Sequence, residues 1–337
     1  MEYRRLGSTG LKVSEVCLGT MTFGKGASRD EAKKMVDTAL DAGVNFFDTA
    51  NSYGGSESET FLGRALKGRR RDMVVATKFF NPMGKGPNDS GMSRVHIMNA
   101  MEDSLSRLQM DHVDIYYIHH VDEQTPLDEM LRAMDELVRQ GKTRYIACSN
   151  YEAWRLAEAL RISDVNNLAR FNCYQPQYSL VVRDIEEELV PMCQINGMGI
   201  VVWSPLAGGF LSGKYQPGQR RLSGSRSDES WSFPDNYFAE NADETLSELL
   251  KTAGNLGRSP AQVALRWVLE QPAITSVIVG ARNISQLQDN LKASGWNMET
   301  EALRRLTNIS RLRERYPKSM EKQMRDRRDN AVQMPSL

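Results

Sequence analysis

Residues 42–55 read AGVNFFDTANSYGG, and the fold turns on how that stretch is parsed. AGVN (42–45) has the form of a helix that closes on a glycine and feeds a strand. VNFFDT (44–49) is a short apolar run with little polar alternation, as in a parallel strand covered on both faces. At its end stands Asp48 and, five residues on, Tyr53 among small residues and glycines. The same pattern recurs along the chain. VSEVCLGT (13–20), MVVATK (73–78), VDIYYIH (113–119), TRYIACSN (143–150), FNCYQ (171–175), GIVVWS (199–204) and SVIVGA (276–281) bring the strand count to eight.

Amphipathic segments separate these runs. Ser28 or Asp30 opens the first, whose apolar face carries Met35, Val36, Ala39 and Leu40. Ser93 is the expected N-cap of a helix with Ile97, Met101, Leu105 and Leu108 at three-to-four spacing. QGKTR (140–144) repeats the glycine stop before a strand. Eight strand–helix alternations without a dividing linker predict an α/β protein, a single-domain (β/α)8 TIM barrel. The barrel is expected over about 13–295 of a domain covering 1–337, preceded by a short N-terminal β-hairpin and followed by a C-terminal helix and tail over 296–337. A doubly wound sheet would place G-x-G-x-x-G directly after an early strand; the nearest match, GMGIVV (197–202), precedes one.

Composition narrows the function. The 337 residues are 40% hydrophobic and 26% charged, with 43 basic against 43 acidic side chains. Zero net charge gives no global electrostatic case for nucleic acid or an acidic membrane as partner. Cys17, Cys148, Cys173 and Cys193 are far apart, with neither C-x-x-C nor zinc spacing, and read as buried apolar residues of a cytoplasmic protein. MEYRRLGSTGLKV at the start is neither a signal nor a transit peptide. No apolar run approaches the ~20 residues that span a bilayer.

Barrels of this kind do their chemistry at the C-terminal ends of the strands. Those positions hold Asp48 and Tyr53, Lys78, His119, Ser149 and Asn150, Gln175, and Trp203. Polar groups are expensive to bury without partners, so their recurrence at one point on strand after strand implies convergence. A phenol with a pKa near ~10 is a weak acid; a lysine cation favours its phenolate, and an aspartate keeps that lysine in place. A histidine nearby orients a carbonyl oxygen. The set suits reduction of C=O to CH–OH, with hydride from a cofactor because no side chain supplies one.

Over roughly residues 2–310 the sequence resembles the aldo-keto reductase family. LGSTGLKVSEVCLGTMTFG at the start, NFFDTANSYGGSE, ATK, DIYYIHHVD, the SN after strand five, YQPQYSL, WSPLAGGFLSGKY and GARNISQLQDN carry the resemblance in this order. It implies a catalytic tetrad of Asp48, Tyr53, Lys78 and His119: Tyr53 the general acid, Lys78 and Asp48 its tuners, His119 the orienter. It also implies an NADPH/NADP+ site. Gly19, Thr20, Met21 and Asp48 would lie by the nicotinamide, Ser149, Asn150 and Gln175 at its carboxamide, and Trp203 on its ring. Ser204, Pro205, Leu206, Gly208 and Lys214 would follow the pyrophosphate, with Gly280 beyond. Arg282, Gln286 and Asn290 are spaced by four and share a helical face opposite Ile284, Leu287 and Leu291. A cation by a helix N-terminus suits a phosphate, and in the family this helix grips the 2′-phosphate, which favours NADPH over NADH.

Blander readings compete at each position. Singly, Asp48 is a turn former, Tyr53 a loop aromatic, Lys78 a solvated strand end and His119 a satisfied semi-buried histidine. The Arg282 face can be the solvated side of an amphipathic helix. His119, His120 and Asp122 suggest a metal, but adjacent strand residues point to opposite faces, so no metal site is expected. His120 stands where many family members have an aromatic. GGFLSGKY (208–215) mimics a P-loop but ends in Tyr215, which cannot replace the magnesium-binding hydroxyl. Phe23, Phe79, Phe80, His120 and Trp231 are pocket candidates by loop position, and the long loop 212–238 a candidate lid. Two other function classes stay open: a cofactor-binding regulatory subunit like those beside potassium channels, and a phosphate-binding isomerase or aldolase barrel.

Overall fold

The computed structural model describes residues 1–223 and 239–331. Trp231 and most of the candidate lid lie outside the described residues. An antiparallel hairpin, β1 (Tyr3–Arg5) and β2 (Lys12–Ser14), comes first. Eight parallel strands follow: β3 (Val16–Gly19), β4 (Phe46–Asp48), β5 (Val74–Phe79), β6 (Val113–Ile118), β7 (Thr143–Ser149), β8 (Phe171–Gln175), β9 (Gly199–Val202) and β10 (Ile274–Val279). They close into a barrel in chain order, with β10 returning to β3. The run 13–20 is therefore not one strand. Its first residues pair with β1, and the chain turns at Glu15 before entering the barrel.

The hairpin plugs the N-terminal end of the barrel. Asn45 Oδ1, just before β4, accepts from Ser14 N at 2.7 Å, and Arg4 Nη1 donates to Ile274 O at 3.0 Å. Glu15 is buried there between Arg4, at 2.6 Å, and Arg266, at 3.2 Å. Two cations around one buried carboxylate keep its charge compensated.

Helices cover the outside, and their ends follow local chemistry. Ser28 caps α1 (Arg29–Asp41) in a reciprocal capping box with Glu31, and Ser93 caps α3 (Arg94–Leu108) by accepting from His96 N. Between them α2 (Glu57–Ala65) follows β4. Next come α4 (Leu127–Arg139), α5 (Ala153–Val165), α6 (Leu189–Ile195), α7 (Ala242–Leu256), α8 (Pro260–Leu269) and α9 (Ile284–Leu291). After the barrel, α10 (Thr300–Ile309) docks through Trp267 Nε1 donating to Thr307 Oγ1 at 3.0 Å. The tail forms α11 (Lys318–Ala331), whose Lys318 Nζ donates to Glu186 O at 3.3 Å. Among the described residues no helix is long and apolar enough to cross a membrane.

The core has two layers, and this division positions the site. Val16, Phe47, Val75, Tyr116, Ile146, Tyr174 and Val202 pack between strands and helices. Cys17, Phe46, Ala76, Tyr117, Ala147, Cys173 and Val201 fill the barrel interior. Side chains two apart on a strand share a face. One step up from each interior residue therefore comes Gly19, Asp48, Lys78, His119, Ser149, Gln175 or Trp203. Those residues form the interior layer at the C-terminal mouth.

Candidate active site

The segment after β4 is shaped before it meets any partner. Thr49 N donates to Ala76 O at 2.9 Å and Asn51 N to Lys78 O at 3.0 Å, so the chain climbs beside β5 beyond the strand itself. A 3-10 turn at Tyr53–Ser56 then reverses it, with Gly54 at φ 58° and Gly55 at φ 64°. Gly54 must be glycine for a second reason: a Cβ there would stand 2.2 Å from Phe23 O. Below the turn, Ser58 Oγ donates to Thr20 O at 2.8 Å and lies 2.7 Å from Thr20 Oγ1 and 3.0 Å from Thr49 Oγ1. Glu59, fully buried, accepts from Thr77 Oγ1 at 2.5 Å and from Arg107 Nε at 2.6 Å. These bonds tie the ends of β3, β4 and β5 to the start of α2, and thus to the loop that carries Tyr53.

Lys78 is 1% exposed and pairs with Asp48 Oδ1; its Nζ also donates to Thr49 O at 2.9 Å and to Tyr53 Oη at 3.4 Å. Gln175 Nε2 holds the other Asp48 oxygen at 2.9 Å. Burial alone pushes the Lys78 ammonium down, but the Asp48 charge and then Tyr53 outweigh it, leaving its pKa above the ordinary lysine value. The ammonium thus stays charged beside the phenol. A cation in that place favours phenolate over phenol.

His119 completes the group. Its ring meets the Tyr53 ring edge-on at 5.8 Å, and burial, then the Lys78 charge and His120, push it from 6.5 down to about 2. It is neutral at every physiological pH. The expectation that His119 and His120 face opposite ways is corrected here: their rings stack at 4.5 Å and 15°. β6 ends at Ile118, and His119 N still donates to Phe79 O at 3.0 Å, but strand alternation no longer sets the direction of His120. Asp122 turns to loop building, accepting from Met92 N at 2.9 Å and Thr125 Oγ1 at 2.7 Å. Among the described residues no three His, Cys, Asp or Glu side chains form a group able to hold a metal.

The remaining mouth residues are engaged with one another. Ser149 Oγ donates to Gln175 O at 2.6 Å, and Asn150 Nδ2 to the His119 carbonyl at 2.9 Å. Asn150 Oδ1 accepts from Trp203 Nε1 at 3.2 Å, which fixes the indole by its edge. Thr20 is wholly buried, its hydroxyl and backbone N–H committed to Asp48 O and its carbonyl to Ser58; Met21 beside it is half-buried. After β9, Ser204 Oγ accepts from Gly208 N at 3.2 Å, Pro205 is buried and Leu206 half-buried. Lys214 lies across the following turn, its Nζ 3.0 Å from where a Cβ on Gly209 would stand. A Cβ on Gly280 would stand 3.9 Å from Gly19 O, in ordinary van der Waals contact. This arrangement does not form a P-loop.

Two groups of sequence expectations need correction. Arg282 and Gln286 are exposed at the start of α9, where Gln286 Oε1 accepts from Arg282 N at 3.0 Å, but Asn290 is only 5% exposed. At about 100° per residue each step of four drifts by about 40°, so the eight residues from Arg282 to Asn290 drift by about 80°, enough to carry the third member off the shared face. Phe23 and Phe79 do not line the mouth. Both are fully buried between barrel and helices, Phe79 because its neighbour Lys78 takes the inward position. Phe80 and His120 do meet, edge-on at 5.4 Å. Sequence reasoning missed Ser58, Glu59 and Asn81. Asn81 Nδ2 donates to Ser52 Oγ at 3.0 Å and stands 3.4 Å from His119 Nδ1. Its only sequence signal is a position three residues past Lys78.

Comparison with known proteins agrees with this barrel. The aldo/keto reductase family model matches residues 15–311. The chain is 40% identical over 320 residues to an uncharacterized oxidoreductase, YrpG, of Bacillus subtilis (strain 168), covering 92% of this chain and 96% of that one. It is 37% identical over 299 residues to a probable voltage-gated potassium channel subunit beta of Oryza sativa subsp. japonica, covering 87% and 91%. A putative subunit of the same name from Schizosaccharomyces pombe (strain 972 / ATCC 24843) is 36% identical over 301 residues, covering 86% and 87%. The chain belongs to the aldo/keto reductase family of oxidoreductases.

Proposed function

We propose that this protein is a cytoplasmic NADPH-dependent reductase of small aldehydes or ketones, in which Tyr53 protonates the carbonyl oxygen. The observation that carries the reading is the buried Lys78 ammonium, paired with Asp48 and 3.4 Å from Tyr53 Oη beside a neutral His119. Trp203, Asn150, Ser149 and Gln175 would hold a nicotinamide against that group. Lys214 over the Gly208–Gly209 turn supplies a cation for a diphosphate, and Arg282 one for a further phosphate, which favours NADPH over NADH. Bound there, the dinucleotide supplies the hydride that no side chain carries.

The chain's own residues do the rest. Tyr53 gives its proton to the substrate oxygen, and the Lys78 ammonium stabilises the phenolate left behind. His119, uncharged, donates a hydrogen bond to the same oxygen and holds it toward Tyr53. In reverse the phenolate takes a proton from an alcohol, so cofactor ratio decides direction. No nucleic acid or membrane partner enters this reading. The test is NADPH consumption with 4-nitrobenzaldehyde: wild type turns over, and Tyr53→Phe loses at least about a hundredfold in rate. Equal rates in the two proteins refute the mechanism.

The relatives named as potassium channel subunits favour one second reading, a cofactor-binding regulatory subunit with slow turnover. Tight NADPH binding with negligible turnover on that aldehyde would select it.

A further inference from the structure

The mechanism needs His119 to present an N–H to the substrate oxygen. A neutral imidazole has one N–H, so its tautomer decides whether it can. Asn81 lies where that choice is made. Its Nδ2 carries two protons; Ser52 Oγ accepts one at 3.0 Å, and the other faces His119 Nδ1 at 3.4 Å. A donor opposite Nδ1 requires a lone pair on Nδ1, so the ring proton goes to Nε2.

We propose that Asn81 is a positioning residue that locks His119 in the Nε2–H tautomer and ties it to the loop carrying Tyr53. In the structure the carboxamide is turned with Nδ2 toward both Ser52 Oγ and His119 Nδ1; with the amide turned the other way, its carbonyl would face Nδ1 and favour Nδ1–H instead. The rest of the surroundings hold the ring still without choosing a tautomer. His119 N donates to Phe79 O at 3.0 Å, Asn150 Nδ2 holds its carbonyl at 2.9 Å, and His120 stacks on its face. The two lateral partners of the ring come from separate loops, the one after β4 and the one after β5. Asn81 bridges them, so it also sets the gap between Tyr53 and His119. The catalytic consequence rests on the carbonyl-reductase reading; the tautomer does not.

Nitrogen-15 NMR of histidine-labelled protein tests the two separately. The protein has four histidines, and His119→Gln assigns the signal. Wild type should show Nε2 protonated and Nδ1 pyridine-like. Asn81→Asp, which presents only acceptors, should move the proton to Nδ1 and lower kcat at least tenfold with KM for NADPH unchanged; Asn81→Ala should give a mixture. His119 protonated on Nδ1 in the wild type overturns the proposal without any variant, as does an Asn81→Asp spectrum with the tautomer unmoved. Loss of turnover with the tautomer unmoved also counts against it. A shifted tautomer in a protein whose Tyr53→Phe variant keeps full activity would leave the lock standing and sink the reductase reading.

Discussion

Asp48→Asn should destabilise the protein in a way that depends on Lys78 and on pH. The substitution keeps the size of the side chain and an oxygen for Gln175, but removes the charge opposite a lysine that is 1% exposed. Breaking a buried ion pair by removing one member costs about 3–5 kcal/mol. A second route bounds the figure. The stranded ammonium can shed its proton, and at pH 7.5 that costs about 4 kcal/mol for a group with an ordinary pKa near 10.4. The two estimates agree. For a chain of 337 residues the unfolding entropy is about 0.7 kcal/mol/K, so the expected fall in Tm is roughly 4–7 °C. The proton route adds a signature: the ceiling drops by about 1.4 kcal/mol per pH unit and is near 1 kcal/mol at pH 9.5. Lys78→Met in the same chain removes the stranded cation, so the double variant should regain most of the loss at pH 7.5 while carbonyl reduction stays abolished. Urea unfolding at both pH values, followed by tryptophan fluorescence, measures the cycle. A cost below about 1 kcal/mol for Asp48→Asn at pH 7.5, or one that does not shrink on raising the pH, would refute the reasoning.

Three further outcomes are expected. Gly54→Ala, whose Cβ meets Phe23 O at 2.2 Å, should displace Tyr53 and lower kcat at least roughly tenfold, whereas Gly55→Ala, with open space, should cost only the ~1 kcal/mol of left-handed strain; similar kinetics for both would contradict the steric account. Stability should fall as pH drops below about 6.5, because His96, His119 and His120 all have folded pKa values below the ordinary one, so the unfolded chain binds more protons there. His119→Gln should flatten that slope by up to ~1.4 kcal/mol per pH unit, and an unaltered slope in chemical denaturation would exclude His119 as a source. Arg282→Ala should raise KM for NADPH roughly tenfold or more, the scale of one charge-assisted hydrogen bond, and leave KM for NADH nearly unchanged; an equal effect on both cofactors would remove Arg282 from phosphate recognition.

The mouth of the barrel was legible because two short-range patterns coincide in it. A strand entering from a glycine-capped helix announces its own end, and alternation along the strand says which residue faces inward. Asp48, Lys78, Ser149, Gln175 and Trp203 each follow an inward apolar residue by two positions, so each is foreseeable from a few neighbours. Where the repeat stops, that logic stops. His120 left the strand and stacked on His119 instead of opposing it, and Asn290 fell outside the stripe that Arg282 and Gln286 begin.

Glu59 and Asn81 mark the limit from another side. A glutamate in the first turn of a helix looks like any favourable surface charge near a positive helix end, and nothing near it in sequence reveals Arg107 and Thr77. Asn81 in a loop likewise reads as a turn former. Sequence alone determined the barrel, the strand ends and the identity of the groups assembled there, because periodicity and capping are local properties of the chain. Only the tertiary structure decided which of those groups touch and which residues stand behind them. Gln175 and Asp48 are 127 residues apart and 2.9 Å from each other, a contact that exists only when eight strands close on themselves and bring the ends of the repeat around one axis.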